Sequence, residues 1–113
     1  MAGFEVWQIV RVPFPYLNRP VRQYRPALVV ACHAAEGMPD LLWVLMITSA
    51  RHRRWAGDIE IVDLATAGLP APSMIRTMKV ATIEASEAER IGVLPNAARK
   101  SVTALVKAAL SGL

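Results

Sequence analysis

Cysteine is almost missing from this chain of 113 residues, in which Cys32 is the only one. A single thiol closes no internal disulfide and leaves a zinc–thiolate site without its other ligands, so Cys32 reads as a small hydrophobe buried at a strand end. Long apolar runs are missing too. The longest, Leu41 to Ile47, is the size of a strand, against the ~20 residues needed to cross a bilayer. Glu5 interrupts the start, and no basic segment precedes a long apolar one, so the start does not read as a secretory signal. These absences point to a soluble cytoplasmic protein with no membrane partner. No repeat, linker or low-complexity tract divides the chain, so one domain over residues 1–113 is expected, large enough for a core without staples. No His, Cys, Asp or Glu group has metal-ligand spacing, and neither metal nor cofactor is expected.

Acids are scarce in the first half. From Met1 to Arg54 only Glu5, Glu36 and Asp40 are acidic, against Arg11, Arg19, Arg22, Arg25, Arg51, Arg53 and Arg54, and this half carries the whole net charge of +4. Every one of those bases is arginine, whose planar guanidinium grips phosphate with two donors and stacks on bases. The charge suits a nucleic-acid surface or a solvated basic face. After Arg54 acids and bases balance.

Strand signals dominate the first two thirds. Val6 to Val12 is β-branched and aromatic, and Pro13 and Pro15 end its ladder, since proline donates no backbone hydrogen bond. Pro15 to Tyr24 has no apolar period and reads as a long loop carrying Tyr16, Arg19 and Arg22 but no carboxylate. Ala27 to Cys32 reads as a central strand, turned through Gly37 and Pro39 to pair with Leu41 to Ile47. Asp58 to Val62 alternates as a half-exposed strand, Ala65 to Pro72 is turn-rich, and Ser73 to Ile83 is a further strand. Ser86-Glu87-Ala88-Glu89 fits a capping box for a short helix ended by Gly92. Asn96 is the expected N-cap of a last helix whose Ala98, Val102, Leu105, Val106, Ala109 and Leu110 share one face. The expected fold is mainly β with two late helices, a small bent sheet or open barrel.

The chemistry concentrates at two strand ends. Arg25 opens the run Arg25-Pro26-Ala27-Leu28-Val29-Val30, and Thr48 and Ser49 end the next strand. An arginine fork with short hydroxyls beside it is a way to hold a phosphate; pairing with a carboxylate at the sheet edge is the plainer role for Arg25. The basic run Arg51, His52, Arg53, Arg54 follows, with Trp55. Imidazole suits acid–base work near neutral pH, and a solvated loop histidine is the simpler reading of His52. Trp7, Tyr16 and Trp55 suit base stacking or packing.

Val12-Pro13-Phe14-Pro15, Arg25 to Val30, Ile47-Thr48-Ser49, Gly68-Leu69, Pro72-Ser73, Thr82-Ile83 and Ile91-Gly92-Val93-Leu94 together resemble, in order and spacing, the PemK/MazF family of toxin endoribonucleases. The resemblance covers nearly the whole chain. It implies a β-rich α+β fold with an SH3-like barrel, shared with CcdB-like proteins, and a cytoplasmic homodimer that cleaves single-stranded RNA without metal. It also implies a cognate antitoxin with an acidic, disordered tail. On the matching positions it implies catalysis by Arg25, Thr48 and Arg76. RNA binding falls to Tyr16, Arg19, Arg22, Ser49, Arg51, His52, Arg53 and Arg54. In several relatives an Arg-x-Asp supplies a proton-transfer carboxylate where this chain has Arg76-Thr77-Met78, and Met78 moves no proton. Restoring that acid should raise the cleavage rate. The alternatives are a catalytically weak or inactive RNA-binding relative, and a gyrase-binding toxin on the same fold, whose characteristic C-terminal residues the ending Leu110-Ser111-Gly112-Leu113 does not resemble.

Overall fold

The computed structural model describes residues 3–13 and 23–113. Tyr16, Arg19 and Arg22, with the loop that carries them, lie outside the described residues. Six strands, β1 (Gln8–Pro13), β2 (Tyr24–His33), β3 (Leu41–Ser49), β4 (Asp58–Ile61), β5 (Ser73–Glu84) and β6 (Glu89–Val93), form one sheet in the order β4-β5-β3-β2-β1-β6. Every pairing is antiparallel. Two helices accompany them, α1 (Leu64–Ala67) and α2 (Asn96–Ala109), with a 3₁₀ turn at Ala85–Glu87. No helix among the described residues is long and apolar enough to cross a membrane.

The continuous apolar runs of β2 and β3 follow from burial on both faces. Along β3 alternate residues divide between two clusters. Leu45 and Ile47 join Ile9, Leu28, Ile75, Leu94 and Val102, while Leu42, Val44 and Met46 join Val10, Val12, Ala27, Val29, Ala81 and Ile83. Ala98 and Val106 of α2 pack on the first cluster. The sheet bends where β5 bulges, for Leu45 faces Val80 but Ile47 faces Ile75, leaving residues 76–79 out of the ladder with β3. Such a bulge bends and twists its strand.

Several local readings are corrected. Residues 86–92 form no helix; after the 3₁₀ turn the chain runs extended as β6, pairing Gln8 with Val93 and Arg11 with Glu89. Satisfying the open edge of β1 outweighs a local capping signal, and Glu84, not Ser86, precedes the turn without any side-chain cap. Asn96 is the first residue of α2 rather than its cap. Pro95 holds that place without a side-chain bond, its carbonyl accepting from the Ala98 amide at 3.1 Å. The covered face of α2 stops short, since Leu110 is 53% exposed. The turn-rich stretch holds α1 instead. Asp63 accepts from the Thr66 amide at 3.1 Å and hydroxyl at 2.6 Å, and these bonds hold its carboxyl below the usual range.

Gly68 ends α1 with φ +73°, and a Cβ there would sit 1.9 Å from the Ile91 carbonyl oxygen. Gly92 meets it from β6, where a Cβ would lie 2.2 Å from the Ala67 carbonyl carbon. Gly92 therefore serves close backbone approach, not helix termination. Trp7 is the only described non-glycine residue with positive φ, at 79°. Backbone bonds hold it on both sides, its amide donating to Val29 and its carbonyl accepting from Leu94. Cys32 is exposed, its thiol 3.5 Å from the Phe4 carbonyl, because β2 outruns its cover there.

Candidate active site

Neighbouring strands bring the two sequence-derived candidates to one end of the sheet. Ala27 faces Met46, and continuing that register by two residues sets Arg25 of β2 across from Thr48 of β3. Alternation puts both on the face of Ala27 and Met46. Thr48 in turn faces Met74 of β5, and two residues along β5 is Arg76, paired with Asp58 of β4. Four adjacent strands thus present Arg25, Thr48, Arg76 and Asp58 at one end. Arg25 is exposed, with Nη2 donating to the Gln23 side-chain Oε1 at 3.3 Å. Thr48 is half-buried.

The turn after β3 is tightly stitched. Ser49 Oγ accepts from the Arg51 amide at 3.2 Å, the Ala50 amide donates to the Pro72 carbonyl at 2.9 Å, and the His52 amide to the Ser49 carbonyl at 3.0 Å. This geometry returns the His52 ring to Thr48, where Nδ1 and Oγ1 share a hydrogen bond at 2.5 Å. A hollow of about 530 Å³ lined by Ser49, Ala50, Arg51, Ala71 and Pro72 opens beside the turn.

Arg76 does something the sequence did not suggest. It is 7% exposed, and Nη2 donates to the Arg53 carbonyl at 2.6 Å and to Asp58 Oδ2 at 3.2 Å. The guanidinium lies 4.0 Å from the centre of the Trp55 ring. The same Asp58 oxygen accepts from the Trp55 amide at 2.9 Å, and Arg54 donates to the Asp58 backbone carbonyl at 3.1 Å. Thr77 closes the set by donating to the Gly57 carbonyl at 2.8 Å. Residues 53–58 are therefore clamped to β5, with the exposed Trp55 ring lying against Arg76.

Asp58 is the residue that sequence reasoning missed. Its alternation with Ile59 and Glu60 reads as a half-exposed strand, yet Asp58 is buried while Glu60 is exposed. A cross-strand arginine makes the difference, and no local pattern reveals a partner eighteen residues away. Trp7 is not displayed for stacking on a base; it packs against the core, with Arg99 at 5.7 Å from its ring. Arg51, Arg53 and Arg54 are exposed around the turn. Among the described residues no three His, Cys, Asp or Glu side chains come together to hold a metal ion.

Solved structures share this architecture. The Mycobacterium tuberculosis toxin MazF-mt6 superposes with a TM-score of 0.67 at 21% identity, covering 92% of this chain and 96% of that one. A MazE–MazF structure from Deinococcus radiodurans gives 0.72 at 17% identity, covering 95% of each. An endoribonuclease in complex with its cognate antitoxin from a mycobacterial species gives 0.69 at 16%, covering 94% and 93%. These likenesses establish the shared fold. No curated protein matches the sequence. The model of the PemK-like, MazF-like toxins of type II toxin–antitoxin systems matches residues 5–110. The chain belongs to that toxin family.

Proposed function

We propose that this toxin is an endoribonuclease that cuts single-stranded RNA without metal. The 2′-OH attacks the adjacent phosphorus and leaves a cyclic phosphate and a 5′-OH. What supports the reading is that Arg25, near the start of β2, and Thr48, near the end of β3, lie toward the same end of two antiparallel neighbouring strands, a charged fork and a neutral donor. Negative charge grows on the phosphoryl oxygens as the 2′-oxygen bonds to phosphorus. Arg25 offsets that charge, and the Thr48 hydroxyl donates to one of the same oxygens. Arg76 supports catalysis from a distance by holding the turn that bears Arg53 and Trp55. Ser49, Arg51, His52, Arg53 and Arg54 line the RNA path, and RNA binding is proposed as well for Tyr16, Arg19 and Arg22, which lie outside the described residues. An arginine-lined surface tracks the backbone, and Trp55 offers an exposed ring to a base.

The family and its neighbours in complex with antitoxins support a cognate antitoxin as partner; its proposed acidic, disordered tail folds on the arginine-rich face, and a second copy of the chain is the other proposed partner. The site of action is the cytoplasm, where the RNA is.

Incubation of the purified toxin with a long single-stranded RNA in EDTA should give discrete fragments bearing 5′-OH ends. Arg25→Ala should slow cleavage ~100- to 1000-fold with its thermal unfolding unchanged, because Arg25 is exposed and packs in neither core. Cleavage that requires added Mg²⁺, or that survives Arg25→Ala at full rate, would overturn the proposal.

A further inference from the structure

Charge stabilisation by Arg25 and Thr48 leaves the proton of the attacking 2′-OH without an acceptor. A guanidinium is a poor proton acceptor, and Met78 has no proton to exchange. The hydrogen bond between Thr48 Oγ1 and His52 Nδ1 supplies the missing group. A threonine hydroxyl has one proton. If Thr48 gives it to the imidazole, none is left for the phosphate. If Nδ1–H donates instead, Oγ1 accepts, its own proton is free for a phosphoryl oxygen, and the neutral ring carries its lone pair on Nε2. The part assigned to Thr48 thus selects the tautomer that makes His52 a base.

On the RNA-cleavage reading above, we propose that His52 is the general base of the reaction. Nε2 takes the 2′-OH proton as the O2′–P bond forms. The P–O5′ bond breaks, and the leaving 5′-oxygen takes a proton from water. The imidazolium later returns its proton to solvent. While cationic, the ring donates more strongly through Nδ1–H to Thr48, and Thr48 to the phosphate, so the charge on the base reinforces the charge stabilisation. The turn bonds through Ser49, Ala50 and Arg51 hold the ring's backbone in place before any RNA arrives.

The test compares single-turnover cleavage of one RNA by the full chain and its variants in EDTA, with binding measured separately on the same RNA made 2′-deoxy at the cleaved nucleotide. His52→Ala should cleave ~100- to 10000-fold more slowly at saturating RNA, a loss larger than any it shows in binding, and added imidazole should restore part of the rate. His52→Asn separates a base from a positioning residue. Its amide nitrogen can replace Nδ1–H toward Thr48 but offers nothing in place of Nε2, so it should be as slow as His52→Ala. His33→Ala, at the opposite end of β2 from Arg25, should keep the wild-type rate. Recovery by His52→Asn, or full activity of His52→Ala, overturns the assignment while leaving the ribonuclease reading intact. A wild-type chain that does not cleave overturns both.

Discussion

Arg25 and Arg76 show how differently two arginines of one sheet end can be used. Arg25 is exposed, whereas Arg76 has a carboxylate, a carbonyl and an indole ring around it. Truncating Arg76 leaves Asp58 buried without its cation, and removing one partner of a buried pair costs ~3–5 kcal/mol. Urea denaturation of Arg76→Ala should show a loss of that order, and an unchanged midpoint would contradict the clamp. Met78 is 52% exposed in the bulged part of β5. Sequence comparison alone predicts a faster enzyme from Met78→Asp. If His52 is the base proposed above, the proton already has an acceptor, and Met78→Asp should fold and cleave RNA at the wild-type rate in the same single-turnover assay; a faster Met78→Asp would favour the acid reading. As candidates, Arg25 and Thr48 could be picked out because strand ends and side-chain chemistry are local properties. The Thr48–His52 contact depends on a turn whose shape Ser49 sets, and the Asp58–Arg76 pair on cross-strand register; neither leaves a mark in a sequence window.

At the level of elements, strands were read well where both faces are apolar. Ala27 to Cys32 and Leu41 to Ile47 fall inside β2 and β3, at the centre of the sheet. Reading failed where tertiary demand overrode local preference. The β6 segment carries a helix-start pattern but is needed to cover β1. The four-residue α1 is too short for any apolar period and exists because Asp63 caps it and Gly68 ends it. Gly92 links these two misread pieces. In Gly92→Ala the methyl would fall 2.2 Å from backbone that cannot swing aside, and overpacking of this kind costs ~1–3 kcal/mol. Thermal unfolding of that variant should shift downward, whereas Gly112→Ala, with nothing near its Cβ, should not move it.

Across the whole molecule, apolar side chains remain in view after both cores are filled. Trp43 is 55% exposed on β3, with Val80 on the adjoining strand and Met38 in the preceding turn also uncovered. Exposed aromatic and methionine side chains mark association surfaces. This supports the proposed homodimer. Sedimentation at micromolar concentration should give twice the chain mass, and Trp43→Lys should shift the population toward monomer; a monomeric wild type would remove the dimer from the account. Net charge and its arginine bias were legible from composition alone. The meeting of Arg25, Thr48 and the basic turn was not, because it depends on strand order.

That strand order also dictates a timetable. β1 is made before every other strand of the sheet, yet one of its neighbours is β6, and Gln8 waits for Val93 before its ladder is complete. The strands bearing Arg25 and Thr48 are made long before, but β5, which contributes Arg76 to the clamp, follows β4, and β6 comes later still. At ~5–20 residues per second, several seconds separate synthesis of the first strand from that of its last partner. Through that interval the nascent chain lacks the finished sheet, so the topology itself delays the assembly of the sheet end that holds Arg25, Thr48 and Arg76 until its last strand has been made.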